Sequence, residues 1–166
     1  MLNRLTLAAA FCLMTAPLSA ETISAEIGRA GLAATESRLS AVATPSEDDR
    51  LALGAVQFLR AIEGSFQTRW THGLTDRTGM LPLLRLGMED NPAPVAPTPD
   101  VIARIFRDAK AGLGEAIITL DGLPDTSAAT LELALGDLWF DVNQNGTREA
   151  GEGMVEIVGS AAFGID

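Results

Sequence analysis

The chain has 166 residues, 47% of them apolar, and a formal net charge of −10. That apolar share argues for a folded core rather than disorder, and the length suits one domain. The acidic balance disfavours nucleic acid and anionic lipid as partners and favours cations, and with 5% aromatics and no tyrosine stacking platforms for bases or sugars are scarce.

Residues 1–20 read as a secretory signal peptide. Asn3-Arg4 forms a short positive region, Leu5 to Met14 is apolar apart from Thr6, Pro17 breaks the helix, and Ala20 precedes the cut. Leu18, three residues before the cut, leaves its position open by a few residues. The apolar run falls short of the roughly 20 residues that span a bilayer, and no later segment qualifies. No stable membrane insertion is therefore expected once the signal is removed. Cys12 is the only cysteine and leaves with the signal, so the mature chain can form no disulfide even where the compartment permits one. Phe11 in front of Cys12 argues against a lipid anchor. The short positive region and alanine-rich centre resemble a bacterial export signal, which implies a periplasmic or secreted protein.

Thr22 to Val42 fits a helix, with Ile23, Ile27, Ala30 and Ala34 on one stripe and Leu32, Leu39 and Val42 nearby. Gly28 and Gly31 weaken it by up to about 1 kcal/mol each. Thr44-Pro45-Ser46 stops it. A second helix starts at Ser46-Glu47-Asp48-Asp49, where Ser46 can cap and the acids face the positive end of the dipole. Leu51, Ala55, Phe58, Leu59, Ile62 and Phe66 continue it at helical spacing to about Trp70 or Thr71, and Gly73 suits a left-handed stop. Within 74–87, Met80-Leu81-Pro82-Leu83-Leu84 suggests a short buried helix begun near Pro82. Residues 91–99 are proline-rich and read as a stiff surface strap inside one domain.

Asp100 opens the next helix, with Ile102, Ile105, Phe106, Ala109, Leu113, Ala116, Ile117 and Leu120 on one face and Gly112 and Gly114 as candidate kinks. Asp121 to Asp125 is a turn. From Ser127 to Leu138 a helical stripe of Leu131, Ala134, Leu135 and Leu138 competes with a strand alternation of Leu131, Leu133 and Leu135. Met154, Val155, Ile157 and Val158 form a last apolar segment, helix or strand. The ending Phe163-Gly164-Ile165-Asp166 has no polar tail and is compatible with the front part of a longer protein. The expected architecture of 21–166 is mainly α: a single domain, an irregular bundle of about five helices.

The chemistry concentrates in Asp141-Val142-Asn143-Gln144-Asn145-Gly146-Thr147-Arg148-Glu149-Ala150-Gly151-Glu152. A hard divalent cation takes six or more oxygens at short range. Asp141, Asn143 and Asn145 place side-chain oxygens at alternate positions, and Gly146 permits the turn that reverses the chain. Thr147 offers a backbone carbonyl, Glu149 can act directly or through water, and Glu152 can close the shell with both oxygens. This spacing resembles the calcium loop of EF-hands, and the resemblance covers these twelve residues only. It implies a bound Ca2+ ion. Arg148 departs from the paired EF-hand, which carries an apolar residue there to meet a partner loop. Gly136 and Asp137 interrupt the apolar pattern before the loop. Residues 140–153 are also similar to calcium loops in β-sandwich repeats of bacterial adhesins, where the oxygens join strands. With two neutral amides among the ligands, affinity in the 10⁻⁴ to 10⁻³ M range of extracellular modules is expected. The plain alternative is an Asn-Gly turn with a solvated acidic flank.

His72, the only histidine, has Asp76 four residues on and could be a general base of a hydrolase. The simpler expectation is that it ends a helix. Ser46, Ser65 and Thr71 lack a nucleophile-elbow context. Arg104, Arg107 and Lys110 read as a solvated basic strip, and Trp70 and Trp139 as core. The functions compatible with these features are an exported helical domain with one structural calcium in a binding or assembly role, a calcium-dependent adhesion module with partial β-structure, or a hydrolase using His72. A non-enzymatic role is the leading expectation.

Overall fold

The computed structural model describes residues 21–74 and 86–163. It is mainly helical, with α1 (Ile23–Ser40), α2 (Glu47–Thr71), α3 (Val101–Asp121) and α4 (Met154–Phe163). The described residues contain no β-strand, only an isolated antiparallel bridge between Trp139 and Gly153. None of their helices is long and apolar enough to cross a membrane. The short helix expected from near Pro82 lies outside the described residues.

α2 is the spine, with α1 on one side and α3 on the other. It begins as its acids predict. Ser46 Oγ accepts the Asp49 N–H at 3.1 Å, and the Asp49 carboxylate accepts the Ser46 N–H at 3.0 Å, a reciprocal capping box. It ends at His72, and Gly73 takes φ 58°. Its buried face is Ala52, Val56, Leu59, Glu63 and Phe66. That is one position off the expected stripe, since Phe58 is 48% exposed. The offset arises because α2 has two neighbours. Ala52, Val56, Leu59 and Phe66 share the core with α1, residues 138–142 and Ile157 of α4. Leu51, Ala55 and Phe58 instead line a cleft toward α3.

α1 is broken at Gly31, which adopts φ 80° and ψ 170°. A straight helix would separate Glu26 from Arg38 by about 18 Å, yet their side chains form a two-pronged ion pair at 2.7 and 2.6 Å. The helix therefore folds over at the glycine. The indole of Trp139 fills the elbow. It would lie 2.9 Å from a Cβ at Gly31, and it donates to the Ile27 carbonyl at 2.8 Å, in the turn where helical donors run out. The break also re-phases the apolar stripe. Ile27, Leu32 and Leu39 are buried, whereas Ala30 and Ala34, expected on the same face, are half-buried and exposed.

α3 runs antiparallel to α2 and continues through Gly112 and Gly114 without the expected kink. Added Cβ atoms at Gly54 and Gly112 would meet Leu120 at 2.6 Å and Ala61 at 2.9 Å, so the helices touch closely at two levels. Thr119 donates to Gln57 at 2.6 Å near one end, and Arg104 meets His72 at 2.9 Å near the other. Only Val101, Ile105 and Ala116 of α3 are buried. Phe106 and Ile117, on the apolar face read from the sequence, are 54% and 58% exposed.

The helix expected over Ser127–Leu138 does not form. The period-two signal wins there: residues 127–134 alternate between half-buried and exposed, as an extended segment does. Its backbone donors go to side chains instead of a ladder. Thr130 N–H reaches Asp48 at 3.2 Å and Ala134 N–H reaches Ser24 Oγ at 2.9 Å. The apolar segment after the loop, left open between helix and strand, is the helix α4.

Candidate metal-binding loop

The segment 138–142 carries the loop into place by three anchors. Trp139 sits in the α1 elbow. Phe140 packs on Phe66 of α2, ring centroids 5.2 Å apart. Asp141 is clamped by α2: its N–H donates to Glu63 Oε1 at 2.8 Å, and its carbonyl accepts from Gln67 Nε2 at 2.9 Å. Glu63 is 1% exposed and is also paired with Arg60, which reaches Glu36 at 3.3 Å. The loop base is closed by two backbone bonds of 2.9 Å, Phe140 N–H to the Glu152 carbonyl and Met154 N–H to the Leu138 carbonyl. α4 then leaves from Gly153, whose N–H is taken by Glu156 at 2.9 Å.

Within the loop the first three predicted donors converge. Asp141 accepts the Asn145 N–H with one oxygen and the Gly146 N–H with the other, both at 2.9 Å. Asn143 Oδ1 accepts the Asn145 N–H at 3.0 Å, and Asn145 Oδ1 accepts the Thr147 N–H at 2.7 Å. The turn needs two left-handed residues, Gln144 at φ 63° and Gly146 at φ 74°. Only the second is free of cost to an L-chain. Glu149 joins through Asn143, whose Nδ2 donates to it at 2.7 Å.

Glu152 is 5% exposed and lies beneath the loop. Its two oxygens accept the Val142 and Glu149 N–H groups, each at 2.9 Å. Burial raises its pKa above the usual carboxylate range; the hydrogen bonds from Glu149, Val142 and Asn143 oppose that, and nearby Asp141 adds to it. No group of three or more His, Cys, Asp or Glu side chains is gathered as a metal cluster among the described residues. The loop's donors are mixed, however. Asn143 and Asn145 supply amide oxygens, and every oxygen in the fan keeps a lone pair beyond its N–H partner.

Arg148, the residue that departs from the EF-hand pattern, donates to the Gly136 carbonyl at 2.9 Å. The loop thus closes on its own chain. The interruption at Asp137 is explained too, since Asp137 accepts from Ser24 Oγ at 2.5 Å and ties the loop entry to α1. The chain enters the loop extended and leaves it as a helix. Glu63 and Gln67 were not singled out in the sequence as supports. A lone acid on the 52/56/59/63/66 stripe is the signal that could have found the first.

His72 is the C-cap of α2. Its Nδ1 lies 3.0 Å from the Val95 carbonyl and its Nε2 lies 2.9 Å from Arg104 Nη2. A carbonyl only accepts and a guanidinium only donates, so Nδ1 carries the hydrogen and Nε2 accepts. The ring thus ends α2, as expected, and clips it to Val95 and to Arg104 of α3. Asp76 lies outside the described residues. Comparisons with protein-family models, curated proteins and solved structures return no match.

Proposed function

We propose that this chain is an exported helical domain, periplasmic or secreted after loss of residues 1–20, whose loop takes one Ca2+ ion as a structural clip in a binding or assembly role. The observation that supports this most is the fan of Asp141, Asn143 and Asn145 oxygens wrapped by the 145, 146 and 147 N–H groups. Thr147 would add its carbonyl. Glu149 and Glu152 would complete the shell by sharing or giving up their present N–H partners. Held there, the ion neutralises carboxylates, and the loop fastens α2 to α4.

Calcium at tenfold its dissociation constant should stabilise the fold by about 1.4 kcal/mol. Differential scanning calorimetry of the mature chain, with and without millimolar calcium, measures this. Asp141→Ala should lower the metal-free melting temperature, because two N–H groups lose their acceptor, and it should abolish the calcium increment. An unchanged increment in that variant, or none in the parent chain, sinks the proposal. The extended entry to the loop favours, as a second reading, the adhesion-type module, in which calcium orders an extended segment against its neighbours. His72 as a hydrolytic base has less support, since Arg104 occupies the nitrogen a base would use.

A further inference from the structure

A cleft of about 440 Å3 lies between α2 and α3, with Leu133 and Leu138 of the extended segment as a third wall. Its floor is buried: Leu59, Ala116 and Leu138 are 7%, 3% and 4% exposed. Its rim is open: Phe58 and Ile117 are 48% and 58% exposed. No polar side chain lines it. The cleft therefore gives a guest no side-chain hydrogen bond, and the part of a guest that sinks into it must be hydrocarbon. Sugars, nucleotides and extended peptides do not meet that condition.

One end of the cleft carries a charge. Arg50 stands four residues before Gly54 and eight before Phe58, on the α2 face that lines the cleft. Its Nη1 lies 3.1 Å from where a Cβ on Gly122 would be, just past Leu120 at the end of α3. Arg50 is half-buried, and no ion pair to it is present among the described residues. The acids beside it on α2 are turned to other groups. Glu47 accepts from Ser127 at 2.8 Å and Asp48 from Thr130 at 3.2 Å, while Asp49 completes the cap of α2. Asp121, next to Gly122, is exposed and forms no ion pair with Arg50.

We propose that this cleft binds a medium-chain fatty acid anion, its carboxylate on Arg50 and its alkyl chain laid along α2 as far as Leu59. A guanidinium fork matches a carboxylate, and the hydrocarbon fills a space that water gains nothing by occupying. Leu51 to Leu59 spans about 12 Å along the helix axis. At about 1.2 Å per bond of an extended chain, that length holds about ten carbons. The site shares no residue with the calcium loop and does not depend on it.

The probe is decanoate, titrated calorimetrically into the mature chain below its micelle concentration, with a chelator in place of calcium so that no soap forms. One saturable site is expected, with affinity rising by up to about fourfold per methylene from hexanoate to decanoate. Arg50→Gln should weaken decanoate by about tenfold or more and leave decanol, which has no charge, unchanged. Ile117→Glu places a charge on the rim at an exposed position that the helix tolerates, and should abolish binding of both. Ile118→Glu, at a position 74% exposed and outside the cleft, should leave both intact. No saturable heat, equal losses in the two glutamate variants, or equal losses of decanoate and decanol in Arg50→Gln would each overturn the inference. So would a dimer of the ligand-free chain that Ile117→Glu dissolves and decanoate does not, since the cleft would then belong to a second copy.

Discussion

Gly31 and Trp139 show how one residue's stereochemistry decides a local fold. The glycine's φ of 80° lets α1 fold over, and the indole occupies the space a side chain would need. Gly31→Ala meets both obstacles, the left-handed backbone and the ring. It should destabilise by well over about 1 kcal/mol, read as a lower urea midpoint. Asp49 makes a complementary case, in which charge matters. Its pKa is lowered by the hydrogen bond from the Ser46 side chain first and the Ser46 backbone second. A lowered carboxylate contributes stability above its unfolded pKa and loses it as pH falls through the folded value. Ser46→Ala should therefore cost about 1 kcal/mol near neutrality, and less in acid below both values. Urea melts of parent and variant at the two pH values test this, and a gap that stays constant would contradict it.

At the scale of elements, α2 does two jobs with one buried acid. Glu63 holds Arg60 and receives the first N–H of the loop. Glu63→Ala leaves a guanidinium and an amide short of a partner. The expected cost is about 3 kcal/mol, measured by denaturation, with a smaller calcium increment as well. α2 was legible in the sequence because its caps are local: Ser46, Asp49 and Gly73 act within a turn of themselves. The loop's turn was legible for the same reason, since Asp141, Asn143, Asn145 and Gly146 satisfy one another. What could not be read depends on distant partners. The α1 break needs Trp139, more than a hundred positions away. The extended path of 127–134 needs Asp48 and Ser24 to take its N–H groups. The shift of the α2 stripe to include Glu63 needs a loop to receive.

For the molecule as a whole, the core joins α1, α2, residues 138–142 and α4, while among the described residues α3 packs chiefly on α2. With three buried residues in a 21-residue helix, α3 should open more readily than α2. Native-state hydrogen exchange should show its amides exchanging earlier than those of Val56 to Phe66. The apolar periodicity of α3 was read as a helix with one apolar face, and the helix forms with only three of its residues buried. Amphipathic spacing reports a face, and here that face also borders a cleft of about 440 Å3 lined by Phe58, Leu113 and Ile117.

The placement of the tryptophans has a practical consequence. The chain has two and no tyrosine. Trp139 stands just upstream of the loop in a sealed elbow, and Trp70 borders the small void behind Asn143, Glu149 and Glu152. Both native fluorophores therefore bracket the twelve residues of interest. Any rearrangement there should shift the emission colour or intensity of the unlabelled protein, giving a built-in optical gauge of the loop.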